Sequence, residues 1–292
     1  MAYMITIANR KGGVGKTTLA IALAETFVSE HQKNVAVVDL DPQSSASEIL
    51  LSEEEYAERV HNGLLLANLW WGDTEHRPVQ PNSILVRDRH QILARDAYDL
   101  AILPNSPQLW DLELDMVRTR QEPDYRERLR EIFDGLREVF DVIIVDCPPG
   151  KLIAAEEAIL ASDLILCPIV PERLSVWGMD KLIEYFNELK ADHFRVPPWR
   201  FIISRYSRRR ESHVQLDRIR QKYAKHFLTE SGGLLSFGNK EFIGLDQSEA
   251  VIQRTAKFHD ERVGKKSLEQ LYGHTATPQL RKMAARLLKL RD

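Results

Sequence analysis

Lys11-Gly12-Gly13-Val14-Gly15-Lys16-Thr17-Thr18 stands between an apolar run, Tyr3 to Ala8, and a helix-forming run, Leu19 to Ala24. That order predicts a strand, a tight loop and a helix. Glycines at 12, 13 and 15 carry no Cβ, so the backbone can curl closely and aim several N–H groups at one point. The positive end of the following helix favours negative charge at the same place. The stretch from Lys11 to Thr18 therefore reads as a loop that cradles phosphates. In such a loop Lys16 reaches the β- and γ-phosphates of a nucleoside triphosphate, and the Thr17 hydroxyl ligates Mg²⁺.

Working outward, short runs rich in Val, Ile and Leu recur at 35–39, 100–103, 142–146, 164–167 and 200–204. They lack clean alternation, as strands covered on both faces do. Helical stretches are expected between them at 17–31, 124–139, 152–161, 175–190 and 212–227, with a last one at 278–291. Alternating strands and helices predict an α/β fold, a doubly wound and mostly parallel sheet with helices on both faces. We expect one domain over residues 1–292. Between about 44 and 98 the pattern is poorer, with Glu53-Glu54-Glu55, Trp70-Trp71 and Arg77-Pro78-Val79-Gln80-Pro81, and a surface excursion is expected there.

In a doubly wound sheet ligands bind at the carboxyl ends of the strands. The second strand runs out into Asp39-Leu40-Asp41-Pro42, and the one at 142–146 into Asp146-Cys147-Pro148-Pro149. Mg²⁺ is a hard ion that takes oxygen ligands and retains waters. Carboxylates at these strand ends suit phosphoryl transfer.

Composition narrows the classes. Of 292 residues 43% are hydrophobic, enough for a sizeable core, and no run of eighteen apolar residues occurs. The start enters the first strand directly, so secretion is not expected. The two cysteines, Cys147 and Cys167, end apolar runs and read as small buried residues rather than a disulfide or metal site, since no C-x-x-C pair or His cluster offers a zinc or Fe–S framework. The formal net charge of −3 conceals a split: residues 200–292 carry 20 Lys and Arg against 10 Asp and Glu. The C-terminal third is basic.

One detail departs from the common G-x-x-x-x-G-K-[ST] form: Arg10 occupies the first glycine position, and Lys11 follows it. This arrangement resembles the deviant Walker A motif of the ParA/MinD family of ATPases. The segments at 38–43 and 143–149 resemble that family's switch I and its Walker B with switch II. The resemblance implies a deviant Walker P-loop NTPase that uses ATP and Mg²⁺. Asp146 would hold the metal through a water opposite Thr17, Asp39 would support the metal shell, and Asp41 would position or activate the attacking water. Lys11 would cross to the ATP of a second subunit, making an ATP-gated homodimer. Pro168-Ile169-Val170-Pro171-Glu172 resembles the segment bordering the nucleotide base, with Pro171 and Arg205 beside it, although a Pro-rich strand exit equally suits a plain turn. Relatives commonly have Ser-Leu-Gly where Gly150-Lys151-Leu152 stand here.

A basic run at 205–225 includes Arg208, Arg209, Arg210, Arg218, Arg220 and Lys222. Such a patch suits phosphate backbones without reading sequence. With the resemblance, it implies a nucleoid-associated, cytoplasmic partition or cargo-positioning ATPase that binds non-specific DNA and is stimulated by a ParB-like adaptor. An alternative is a MinD-like membrane switch, since Leu280, Met283, Ala284, Leu287 and Leu288 share one helical stripe among basic residues. That stripe suits a helix packed on the domain better, so membrane binding is not expected. A metabolic P-loop enzyme of the same fold is a further alternative.

Overall fold

The computed structural model describes residues 2–71, 81–89, 98–119, 122–172, 175–204, 210–223, 226, 244–245 and 267–291. In chain order it places β1 Tyr3–Ile7, α1 Lys16–His31, β2 Val35–Asp39, α2 Ser45–Leu50, α3 Glu53–Asn62 and α4 Leu66–Trp71. A 3₁₀ turn at Pro81–Ser83, β3 Leu100–Leu103, α5 Gln108–Thr119, α6 Glu122–Arg137, β4 Val142–Asp146 and α7 Ile153–Ala161 follow. The chain continues with β5 Leu164–Ile169, α8 Ser175–Ala191, β6 Trp199–Ser204, α9 Arg210–Tyr223, β7 Gly244–Leu245 and α10 Leu268–Arg291.

The strands form one sheet in the order β3-β2-β4-β1-β5-β6-β7. Every pair in it is parallel. Strands β1 to β5 are buried along their whole length, which is why their sequences run apolar without alternation. Two apolar layers cover the sheet. One gathers Trp70, Leu112, Met116, Phe133, Ala158 and Phe186, brought by α4 to α8. The other gathers Leu19, Leu23 and Phe27 of α1 with Leu268, Leu280, Met283 and Leu287 of α10. The doubly wound expectation holds, with β1 in the middle of the sheet and its exit loop at the reversal of strand order.

Several details differ from the sequence reading. Helix α5 was not foreseen, because Asp111, Glu113 and Asp115 interrupt its apolar spacing. The last helix begins at Leu268, not at 278, and passes through Pro278. An internal proline costs about 3 kcal/mol. Buried residues on both sides, Leu268, Leu271 and Tyr272 before it and Leu280, Met283 and Leu287 after it, offset that cost. The excursion at 44–98 is not only surface: Leu65, Leu66 and Trp70 are fully buried, and Trp70 donates its indole N–H to the Tyr125 carbonyl at 2.7 Å. Strand β7 also lies beyond the strands foreseen.

The amphipathic tail belongs to the core. Leu280, Met283, Ala284 and Leu287 are fully buried. Arg281 ties the same helix to Glu30 of α1 at 2.8 Å and to its own Glu269 at 2.7 Å. Among the described residues no helix is long and apolar enough to cross a membrane.

Candidate nucleotide site

The loop at 8–15 leaves the middle of the sheet and is pinned from three sides. Ala8 donates its N–H to Leu166 of β5 at 3.0 Å. The Asn9 amide donates to the Pro168 carbonyl at 2.7 Å and accepts the Lys11 N–H at 2.9 Å. The Ser204 hydroxyl, at the end of β6, donates to the Val14 carbonyl at 2.5 Å. Gly13 and Gly15 take left-handed backbone angles, φ 71° and 89°, which only glycine adopts at little cost. A Cβ on Gly12 would meet nothing within 4 Å, so there is open space beside the loop at that residue.

Gly15 is the N-cap of α1 and offers no side chain to cap it. The helix therefore presents its positive end to whatever the loop holds. Lys16 is 6% exposed at the first helical position, while Thr17 and Thr18 are half-buried.

The three aspartates meet beside this loop. Parallel register places Asp39 directly against Asp146, and Asp146 against Ile7, at the carboxyl edge of β2, β4 and β1. Asp39 is fully buried and held by three donors: the Asp41 N–H at 3.1 Å, the Ser47 N–H at 2.8 Å and the Ser47 hydroxyl at 2.7 Å. Ser47 in turn accepts the Asn105 N–H at 3.0 Å. Asp41 shapes its own turn, its side chain accepting the Gln43 N–H at 3.0 Å.

Asp146 is different. It is fully buried, and beyond the nearby Thr17 hydroxyl its carboxylate meets no hydrogen-bond donor among the described residues. Burial pushes its pKa well above the usual carboxylate range, and Asp39 adds to the rise, whereas the neighbouring Thr17 hydroxyl and Lys16 ammonium oppose it. Burial raises Asp39 as well, against the lowering pull of Ser47. A fully buried carboxylate satisfied so sparsely is costly unless a cation meets it. A hard divalent ion fits this place, with Thr17 and Asp146 as oxygen donors and Asp39, whose oxygens are already engaged, behind them. Among the described residues no group of three His, Cys, Asp or Glu could hold a metal by itself, so phosphate and water oxygens would have to complete the shell.

Lys11 lies half-exposed and pairs with Glu172 at 2.9 Å, linking the loop to the segment after β5. Pro171 is buried beside that glutamate. Arg205, Arg208 and Arg209 lie outside the described residues. Arg210 opens α9, and Arg220 lies within it. Arg218 is exposed on α9, while Lys222 pairs with Asp180 of α8 at 2.7 Å, which takes part of its charge out of the expected basic patch. Burial raises the Cys147 and Cys167 thiols, so both are inert apolar residues. Sequence reading missed Ser47 and Asn105, because nothing in their local spacing points to Asp39.

Comparison with known proteins follows this geometry. A family model described as "AAA domain" matches residues 2–195. The chromosome partitioning protein ParA of Myxococcus xanthus is 31% identical over 189 residues, 64% of this chain and 59% of that protein. The sporulation initiation inhibitor protein Soj of Bacillus subtilis is 28% identical over 183 residues, 63% of this chain and 64% of that protein. The chain thus spans less than two thirds of the length of these two relatives. Among solved structures, a plasmid partition protein of Borrelia burgdorferi bound to AMPPNP superposes with a TM-score of 0.68 at 19% identity, covering 99% of each chain. A cobyrinic acid a,c-diamide synthase of Mycobacterium smegmatis with ADP and magnesium gives 0.62 at 23% identity, covering 76% of this chain and 82% of that one.

Proposed function

The chain belongs to the AAA domain family and is of the ParA type, and from that premise we propose that it is an ATP-dependent dimerising switch that positions a cargo on DNA. The observation that carries the reading is the fully buried carboxylate of Asp146, met by little more than the Thr17 hydroxyl, at the mouth of an uncapped α1.

Bound Mg²⁺ would neutralise charge on the phosphates of ATP and hold them in line for transfer to water. Each residue then has a task. The backbone of Gly12 to Thr18 cradles the phosphates, and Lys16 neutralises the terminal ones. Thr17 and Asp146 offer oxygens to the metal, with Asp39 held behind them by Ser47. Asp41, at the exit of β2, orients the attacking water. Pro171 and Arg205 border the base.

Lys11 completes the site of a second copy. To do so it must leave Glu172, so the ion pair seen in the single chain is exchanged for a phosphate contact across the dimer. The ATP dimer brings two copies of the basic run, Arg208, Arg209, Arg210, Arg218, Arg220 and Lys222, onto one surface that binds DNA without reading sequence. A ParB-like or other adaptor stimulates hydrolysis, which returns the monomer. This places the protein in the cytoplasm, on the nucleoid. The burial of Leu280, Met283, Ala284 and Leu287 weighs against a membrane switch.

The test measures DNA affinity with ATP, with ADP and without nucleotide, for wild type and Lys11→Ala. Tight binding by wild type with ATP alone, weakened by salt and lost in the variant, is the expected result. Equal binding in every case refutes the switch.

A further inference from the structure

We propose that Glu113 is a positioning residue: its buried carboxylate holds the N-terminus of α7 and thereby fixes the segment that follows Asp146. This inference rests on the ATPase reading above.

Helix α7 starts directly after Cys147-Pro148-Pro149-Gly150-Lys151-Leu152, the stretch that joins Asp146 to it. Its N-cap is Leu152, which has no side-chain acceptor and makes no cap hydrogen bond. The missing acceptor comes from α5. The Ile153 and Ala154 N–H groups donate to the two oxygens of Glu113, each at 2.8 Å. Glu113 is 6% exposed. A charged acceptor at the positive end of a helix makes short, strong bonds, and an apolar surrounding strengthens them.

The rest of the segment is fixed at other points. The Asp146 carbonyl accepts the Leu40 N–H at 2.9 Å, and Cys147 donates its N–H to Ile7 at 3.2 Å. Gly150 takes φ 111°, a conformation that glycine tolerates best. The Lys151 ammonium pairs with Glu188 of α8 at 3.0 Å and sits over the Tyr185 ring. Among these restraints Glu113 is a buried side chain that engages two backbone groups at once. Loss of its charge would release the start of α7, and with it the path of residues 148–152 past the reacting phosphate.

The test compares wild type, Glu113→Gln, Glu113→Ala and, as a control, Lys16→Ala. Three quantities are measured: affinity for a fluorescent ATP analogue, ATP turnover, and amide hydrogen exchange over residues 148–155. Glu113→Gln and Glu113→Ala are expected to bind the analogue within about twofold of wild type while turning ATP over about ten- to a hundredfold more slowly. Their Ile153 and Ala154 amides exchange faster, and core-strand amides do not. A merely structural role would lower binding and turnover together and speed exchange throughout, and that result overturns the proposal. So does wild-type turnover in a variant whose two amides have become exposed, or unchanged exchange of those amides in both variants. Should wild type show no turnover, and Lys16→Ala bind the analogue as well as wild type, the ATPase reading itself falls. In that case the exchange result alone still decides whether Glu113 holds α7.

Discussion

Replacing Asp146 by Asn should stabilise the nucleotide-free protein and abolish its response to magnesium. Asp39 and Asp146 are register partners on adjacent parallel strands, both fully buried. Adjacent strands lie about 4.8 Å apart. When both are ionised, two unit charges at about 5 Å, with an effective dielectric constant of about 20, repel by about 3 kcal/mol, a cost the pair sheds in part through the raised pKa values that favour a shared proton. Lys16 offsets part of this, since it lowers the cost of charge on Asp146. A net relief of about 2 kcal/mol in Asp146→Asn is therefore expected, equivalent to about 4–8 °C in Tm for a chain of this size. In wild type the same charge is what a metal would bind. Mg²⁺ with ATP at a hundred times its Kd should raise wild-type stability by about 2.7 kcal/mol. The variant should lose the magnesium-dependent part of that rise. Differential scanning calorimetry at neutral pH, with and without ATP and with Mg²⁺ or a chelator, reads both effects. An unliganded variant no more stable than wild type, or one that keeps the full magnesium response, refutes the reasoning.

Four further outcomes are expected. Burial lowers the pKa of His31 below its ordinary 6.5, and its Nε2 is buried without a partner, so folding favours the neutral ring. Stability from this group is present above pH 6.5 and lost as pH falls through the folded pKa; chemical denaturation of His31→Gln should show a flatter acid slope than wild type. Arg126 pairs with Glu156 and with Glu157, whose side chain is fully buried, while the second partner of Glu157, Arg130, is half-exposed. Arg126→Ala leaves that buried carboxylate to the half-exposed Arg130 alone and should cost about 2–3 kcal/mol in urea unfolding, against about 1–2 kcal/mol for Glu157→Gln, because Arg126 keeps Glu156. Leu287→Ala should cost about 2–5 kcal/mol by thermal unfolding. Wild type should not co-sediment with anionic liposomes, as the apolar face of α10 lies in the core.

The sheet was legible because its strands are covered on both faces. Burial on both sides demands apolar runs such as Val35 to Val38 and Val142 to Val145, and these show in any window of sequence. The same holds for α1, whose start is marked by the glycines before it. Helix α5 was not legible: Leu109, Leu112 and Met116 face the core, but acidic residues between them hide the spacing, and one of those, Glu113, is itself buried by a partner forty residues on. Proline at 278 argued locally for a helix start, and only packing on α1 shows that the helix runs through it. At the candidate site, Lys16, Thr17, Asp39 and Asp146 could be picked out because phosphate chemistry calls for those residue types after a glycine loop and at strand ends.

By itself, then, the sequence determined the glycine loop between β1 and α1, the parallel α/β order and the acids at the strand ends. These are local, since each depends on the spacing of neighbours along the chain. Tertiary structure alone decided what surrounds them. Ser47 and Asn105 behind Asp39, Glu172 across from Lys11, Glu113 at the start of α7 and the burial of the basic tail's apolar stripe are contacts between distant segments. A hydrogen bond or ion pair of that kind leaves no periodicity in sequence, because its partner is chosen by the fold and not by the chain on either side.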